Sequence, residues 1–155
     1  MNRRTFARTL LVSGVISLAG NGTSFAQEAD IKAAVNAYHA AIGTLDISKM
    51  DSLWAHDANV MLINPRDKSI AIGWDAVKKD WEANWSNYSA LKVTQVDGPH
   101  IAVKGDVAWS TGIARAEVKM KDGNTVNAPT FETDVFEKHG NQWLLVLHTA
   151  ARVPQ

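Results

Sequence analysis

Hydrophobic positions between residues 31 and 88 recur at helical spacing. Apolar residues three and four apart predict a first helix ending at Gly43, with Ile31, Ala34, Val35, Tyr38, Ala41, Ile42 and Leu45 on one side. Asp46 is placed to cap a short second helix that carries Trp54. A third helix is amphipathic, and its apolar side is formed by Trp74, Val77, Trp81, Trp85 and Tyr88. Two short strands, 60–63 and 69–72, are predicted between the second and third helices.

The second half of the chain changes to long extended segments. Four strands are predicted there, over 91–104, 106–121, 124–138 and 142–153. Asp122-Gly123 is typical of a two-residue hairpin turn, which would place Arg115 opposite Thr130. Helices followed by a strand meander indicate an α+β fold, in which three helices wrap one face of a curved antiparallel sheet. The cone-shaped space between helices and sheet is the expected ligand pocket.

The first 26 residues have the pattern of an export signal. A basic stretch at 2–8 and an apolar run at 10–19 lead to small residues, which predicts cleavage after Ala26. The paired arginines in the basic stretch are also typical of a twin-arginine signal, and an ordinary secretory signal is the alternative. We expect the domain at 27–155 to reach the bacterial periplasm or the medium. No later segment has the length and apolarity of a membrane span.

Composition removes several classes of function. The 155 residues include no cysteine, which excludes disulfides and thiolate metal sites. Beyond residue 26 the chain carries 13 basic against 16 acidic residues, a balance that argues against nucleic-acid binding. The five histidines lack close metal-ligand spacing. We therefore expect neither a metal nor another cofactor.

Several segments resemble the SnoaL-like domains of the nuclear-transport-factor-2-like (NTF2-like) superfamily. The similar segments are 45–54, 57–60, 72–77, 105–109 and 131–146. This resemblance implies an NTF2-like cone, a fold that also serves ketosteroid isomerases and polyketide cyclases as well as simple binding proteins. Relatives of iota-type carbonic anhydrases carry two histidines and two serines late in the last strand. The sequence at 147–151, Leu-His-Thr-Ala-Ala, leaves that activity only an outside possibility.

Strand pairing predicts which side chains share a face of the sheet. A turn centred on 139–140 places Glu132 opposite Leu147. One face then carries Trp109, Thr111, Ile113, Arg115, Thr130, Glu132, Asp134, Phe136, Trp143, Leu145, Leu147 and Thr149, while His148 lies on the other. The family's polar positions in the last strand fall on the Thr149 side, which favours this first face as the pocket wall. A one-residue bulge would exchange the two faces.

Four residues are candidates for acid–base chemistry. Glu132 and Asp134 are carboxylates on one face, and burial in an apolar cavity would make either a general base. The alternative is an ion pair with Arg115 or simple exposure. His148 is either an acid–base group or a histidine of the core or interface. Tyr38 is either a hydrogen-bond donor to substrate or core.

Seven further residues are candidates for ligand binding. Tryptophans would give a wall suited to a flat or apolar ligand, although core filling explains them equally well. Polar contacts are predicted from the sheet and from the pocket mouth. The set is Trp54, Trp81, Trp85, Trp109, Arg115, Thr149 and Asn64.

Three functions follow from these candidates. The first is an exported protein that binds a small organic ligand without chemistry. The second is an isomerase, cyclase or hydrolase that uses a pocket carboxylate as base. The third is an interaction module, since both faces of the last strand are apolar and a homodimer is expected through one of them. A carboxylate in the cavity within hydrogen-bond reach of Tyr38 or His148 would favour the enzyme.

Overall fold

The computed structural model, which describes residues 20–154, contains two helices and one sheet. Helix α1 spans Gly20–Thr44 and helix α2 spans Trp74–Trp85. The strands are β1 (Met61–Ile63), β2 (Ala71–Ile72), β3 (Tyr88–Lys104), β4 (Val107–Met120), β5 (Thr125–His139) and β6 (Gln142–Arg152). The basic stretch and apolar run of the predicted export signal lie outside the described residues. No helix within the described part is long and apolar enough to cross a membrane.

The predicted short second helix is wrong, so two helices rather than three accompany the sheet. Asp46 does cap this segment, because its Oδ1 accepts a hydrogen bond from Ser48 N at 2.9 Å. Only a three-residue 3-10 helix, Ile47–Lys49, follows the cap. The chain then turns toward the last strand, where Ala55 N donates to Leu145 O at 3.0 Å. A backbone group used in this way cannot continue a helix.

The sheet is curved and mixed, with the strand order β2-β1-β6-β5-β4-β3. Each neighbouring pair is antiparallel except β1 and β6, which are parallel and bring Leu62 opposite His148. The expectation of a purely antiparallel sheet is therefore wrong at this pair. Turn residues in the sequence predict pairing only between strands that follow each other along the chain. Because β1 and β6 are far apart in sequence, their parallel pairing could not be predicted in this way. The predicted hairpin of β1 with β2 is confirmed.

The loop between β4 and β5 is one residue longer than predicted. It spans 121–123, with Gly123 at φ 91°, a conformation that favours glycine. Arg115 therefore pairs with Pro129 rather than with Thr130. Because side chains alternate along a strand, this shift reverses the predicted face of β4 relative to β5.

A bulge changes the pairing of β5 with β6. The two strands turn at 140–141, and their register shifts again between residues 135 and 136. Asp134 consequently lies opposite His148 rather than opposite Leu145. The predicted separation of Asp134 and His148 onto different faces is wrong for this reason.

The helices cover one face of the sheet and enclose the core. Helix α1 packs along β3 and also contacts β4 and β6, while α2 contacts β1 and β2. Tyr88 opens β3 instead of continuing α2 as predicted. A fully buried large apolar side chain contributes about 1.5–3 kcal/mol relative to an exposed one. The buried aromatic residues are Tyr38, Trp54, Trp74, Trp81, Trp85, Tyr88, Phe136 and Trp143.

Candidate functional site

Asp134 and His148 form a buried pair on the face of the sheet that the helices cover. Asp134 Oδ1 lies 2.7 Å from His148 Nδ1, and each residue is 2% exposed. Ser110 on β4 donates from its hydroxyl to Asp134 Oδ2 at 3.2 Å. An ionised carboxylate only accepts hydrogen bonds, so Nδ1 carries the hydrogen and the neutral ring keeps its lone pair on Nε2. Asp134 thereby fixes the tautomer and orientation of His148.

A second buried pair joins Glu132 to His39. Glu132 stands two positions before Asp134 on β5, and therefore on the same face. Its Oε2 lies 2.8 Å from His39 Nε2 on α1, and its Oε1 accepts from the Thr130 hydroxyl at 3.3 Å. Both carboxylate oxygens are thus hydrogen-bonded. The two carboxylate and histidine pairs hold α1, β5 and β6 together with polar contacts inside an otherwise apolar core.

A partly open cavity of about 110 Å³ lies beside these pairs. His148 and Glu132 line its inner part, whereas Asp134 is not among the lining residues. Trp81 on α2 and aliphatic side chains of β3, β4 and β5 form apolar walls. The other charged lining residues are Arg66 and Arg152. The cavity therefore combines apolar walls with one histidine, one carboxylate and two guanidinium groups.

The protonation of the two pairs differs. Burial lowers the pKa of the His148 imidazole, but the hydrogen bond and charge of Asp134, helped by Glu132, outweigh it and raise the pKa above its ordinary 6.5. Burial raises the pKa of Glu132, but hydrogen bonds from His39 and Thr130 and the charge of His148 lower it overall. Glu132 is therefore the weaker proton acceptor of the two.

Tyr38 lies beside His148 at the base of the site. The centres of the two rings are 5.0 Å apart in an edge-to-face arrangement. Burial and the charges of Asp134 and Glu132 hold the pKa of Tyr38 well above its usual range, so its hydroxyl stays protonated. That hydroxyl has no hydrogen-bond partner within residues 20–154. Tyr38 is not a lining residue of the cavity, and it supports the face of the His148 ring.

The four tryptophans predicted to bind ligand lie in three different places: the cavity wall, the core and the outer face of the sheet. Trp81 lines the cavity, and its indole N–H is buried without a partner in the described part of the chain. Trp54 and Trp85 are buried in the core, where Trp85 packs against Trp81 with ring centres 5.1 Å apart. Trp109 is 41% exposed on the opposite face of the sheet. One of the four predicted tryptophans therefore reaches the cavity wall.

Two predicted polar residues also lie away from the cavity. Arg115 projects from the outer face of β4, where its guanidinium donates to Asn127 Oδ1 at 3.1 Å rather than pairing with Glu132. Thr149 pairs with Thr133 on the outer face, because the bulge at Val146 in β6 changes the alternation of that strand. Asn64 does line the cavity mouth, and its amide donates to Asp80 Oδ2 at 2.8 Å.

Sequence reasoning missed five residues that complete the site. His39 is on the buried side of α1, but it falls beside the regular apolar positions. The predicted register of β4 against β5 put Ser110 on the face of the sheet away from Asp134. Lengthening the predicted β4–β5 loop by one residue is enough to bring Ser110 to the same face as Asp134. Thr130 was predicted to lie on a sheet face but was given no functional role. The last two residues are Arg66, in the predicted turn between the short strands, and Arg152, near the end of the last predicted strand. Among residues 20–154 no group of three acidic or histidine side chains is close enough to hold a metal ion.

A model of the SnoaL-like domain matches residues 31–154. No curated protein matches this chain in sequence. An NTF2-like superfamily protein from Salmonella enterica serovar Typhimurium is similar in structure, with 20% identity, TM-score 0.75, and coverage of 83% of this chain and 91% of that chain. A putative dehydratase of the NTF2-like family from Streptomyces avermitilis has 20% identity and TM-score 0.75, over 84% of this chain and 99% of that chain.

A ketosteroid isomerase-like protein from Erwinia carotovora atroseptica is similar at 19% identity and TM-score 0.65, over 82% of this chain and 96% of that chain. At identities this low, the structural similarity establishes a shared fold alone. It carries no residue roles from those proteins to this one.

Proposed function

This chain belongs to the SnoaL-like domain family, and we propose that it is an enzyme that moves a proton on a small organic substrate. The proposal depends on one observation, the pair in which buried Asp134 orients His148 at the wall of a cavity. A base held by a second group, beside a space for substrate, is the arrangement that general acid–base catalysis needs. The isomerase, cyclase or dehydratase type of reaction uses such a step.

In the proposed step, neutral His148 takes a proton through Nε2 from a carbon next to a carbonyl group. The electron pair of the broken C–H bond forms a C=C bond with the carbonyl carbon, and the π pair of the carbonyl group moves onto its oxygen, which gives an enolate. Asp134 stabilises the imidazolium without taking its proton, as in other carboxylate–histidine pairs. His148 then returns the proton to another carbon in an isomerisation, or to a departing hydroxyl group in a dehydration.

The oxygen of the enolate needs a hydrogen-bond donor. We propose Trp81 as this donor, because the residue lines the cavity and its indole N–H, which is shielded from solvent, has no hydrogen-bond partner within residues 20–154. A donor already fixed in an apolar site stabilises developing negative charge without reorganising. Glu132, by contrast, has both oxygens occupied by His39 and Thr130. We therefore assign the base to His148 and a supporting role to Glu132.

Hydrogen–deuterium exchange tests the proton step without knowledge of the final product. Levulinate, a short keto acid with exchangeable C–H groups beside its carbonyl, is incubated with the protein in D2O, and loss of the proton signals is followed by NMR. We expect exchange faster than in buffer with the native protein, and near-buffer rates with His148→Asn. His56→Asn is the matched control, because His56 is half exposed and lies outside the cavity lining. Equal exchange by His148→Asn and the native protein would contradict the proposal.

A binding protein without chemistry is the second candidate function. The mostly apolar lining favours it, because apolar walls hold a small organic ligand without supplying reacting groups. The volume of about 110 Å³, below the roughly 300–1,000 Å³ typical of drug-sized ligand sites, limits that ligand to a small one. Native mass spectrometry of the purified protein tests for a retained ligand. A tightly retained small molecule together with no proton exchange on any keto acid would favour binding over catalysis.

Export to the periplasm or the medium is also proposed, on the basis of the basic and apolar segments before Ala26. N-terminal sequencing of protein recovered from the periplasm of an expressing bacterium tests it. We expect the mature chain to begin at Gln27. Recovery of the full-length chain only from the cytoplasm would contradict export.

A further inference from the structure

Two arginines at the cavity have no acidic partner in the part of the chain that the structure describes. Arg66 and Arg152 both line it, and neither lies within salt-bridge distance of a carboxylate among residues 20–154. In the same part of the chain Lys78 does pair with Asp75, at 3.1 Å on the surface. Guanidinium groups beside an apolar cavity attract an anion, because they are weakly hydrated and always charged.

The guanidinium of Arg66 is held in place. Its Nη2 donates to the hydroxyl of Tyr88, and its central carbon lies 5.8 Å from the centre of the Tyr88 ring. This contact uses one of five N–H donors and leaves the others for a ligand. The planar fork that remains matches the two oxygens of a carboxylate. Arg66 is therefore ordered before any ligand arrives.

The carboxylates near the cavity are occupied by other partners. Glu132 is bonded by His39 and Thr130. Outside the lining, Asp67 accepts from the backbone N–H of Asn64, and Asp80 accepts from the amide of the same residue. Protein donors thus stabilise these negative charges, while neither arginine has a carboxylate partner among residues 20–154.

The size of the cavity limits the organic part of the ligand. Its volume of about 110 Å³ is smaller than the ~150 Å³ cavity known to hold benzene in another protein. A short aliphatic chain or one small ring fits such a space, with its charged end at the partly open mouth. A fused-ring molecule would have to remain largely outside.

We infer that the cavity takes a small organic carboxylate, with its acid group on Arg66 and Arg152 and its apolar body along Trp81 toward His148. This inference rests on the proposed function only in the assignment of His148 as the group that acts on the inner end of the ligand. It specifies the substrate class as a short monocarboxylic acid, with a reactive carbonyl or hydroxyl group at the end away from the acid. Levulinate has this arrangement.

Calorimetric titration tests the anion site. The acids are butyrate, levulinate and benzoate, and the neutral partners are butyramide, 2-pentanone and benzamide. We expect the native protein to bind at least one acid about tenfold more tightly than its neutral partner. Arg66→Gln and Arg152→Gln should each weaken acid binding by about tenfold and leave binding of the neutral compounds unchanged. Arg115→Gln, on the outer face of the sheet, is the matched control and should bind as the native protein does.

Three results would overturn the inference. They are equal binding of acids and neutral partners, equal losses in Arg66→Gln and Arg115→Gln, and no binding of any acid at millimolar concentration. Because binding is measured separately from proton exchange, the two proposals can fail independently. If acids bind in a way that requires Arg66 but the protons of levulinate do not exchange, the inference is supported and the proposed enzyme is contradicted.

Discussion

Asp134 Oδ1 and His148 Nδ1 lie 2.7 Å apart because a bulge at Val146 in β6 brings the two residues opposite each other. Without the bulge, the register of the β5–β6 turn would point them to different faces. The irregularity of the strand therefore creates the candidate site. Bulges often serve in this way to direct a side chain near a functional site.

Replacement of Asp134 by Asn removes the charge but keeps the size. An amide N–H facing Nδ1 favours the other tautomer, in which Nε2 carries the hydrogen and cannot accept a proton. We expect proton exchange to fall by about 10³–10⁴-fold, as in other carboxylate–histidine pairs. Loss of the Asp134 charge should also lower the pKa of His148, which an NMR titration measures. Ser110→Ala, which removes only the 3.2 Å bond to Asp134, should lose less than about tenfold.

The rate of proton exchange should depend on pH through His148. The base must be neutral, and the pKa of His148 is raised above 6.5. We therefore expect the rate to fall as the pH drops through this raised pKa. A rate that stays flat from pH 9 to well below pH 6.5 would exclude His148 as the base.

The stability of the folded protein should also depend on the protonation of His148, but it should fall as the pH rises, whereas the exchange rate should rise. A raised folded-state pKa means that the fold favours the imidazolium, so this contribution is fully present below about pH 6.5 and is lost as the pH rises through the folded pKa. Urea unfolding of the native protein and His148→Gln across pH 5.5–9 measures it. The native protein should lose stability relative to the variant as the pH rises over this range.

His39→Ala should destabilise the fold strongly. It leaves the Glu132 carboxylate, which is 8% exposed, without its 2.8 Å partner. Leaving a buried acceptor without its hydrogen-bond partner costs about 1–3 kcal/mol in free energy of unfolding, and more when the acceptor is charged. His100→Ala is the control, because its contact with Asp97 at 3.5 Å is largely exposed and should contribute less than about 1 kcal/mol. Equal unfolding midpoints in urea for the two variants would show that the His39 pair has no special role.

The outer face of the sheet is proposed as a homodimer interface. Trp109 and Phe131 are 41% and 48% exposed there, which is unusual for large apolar side chains in neighbouring strands. Trp109→Lys should convert a dimer to a monomer in light scattering after size exclusion, without loss of helix or strand signal. Ile72→Lys, at an exposed edge-strand position, is the control and should remain dimeric. A native protein that is monomeric at micromolar concentration would contradict the proposal.

The elements with strong local patterns were predicted well. The end of α1, the tryptophans of α2 and the four long strands all occur near their predicted bounds, whereas α1 begins at Gly20, well before the first predicted apolar position, Ile31. The second helix failed because its backbone pairs with β6, a contact that its own sequence does not encode. Glu132, Asp134, Tyr38 and His148, which were predicted as candidates for acid–base chemistry, are all buried. Their roles as acid or base remain predictions until the variants are measured.

The sequence by itself determined the order of helices and strands and the resemblance to the SnoaL-like family, because apolar periodicity and turn residues are local properties of the chain. Tertiary structure decided which side chains meet. One extra loop residue moved Arg115 and Trp109 to the outer face, and one bulge brought His148 to Asp134. Since side chains alternate at every residue of a strand, a register change of a single position exchanges the two faces, and no local pattern fixes it.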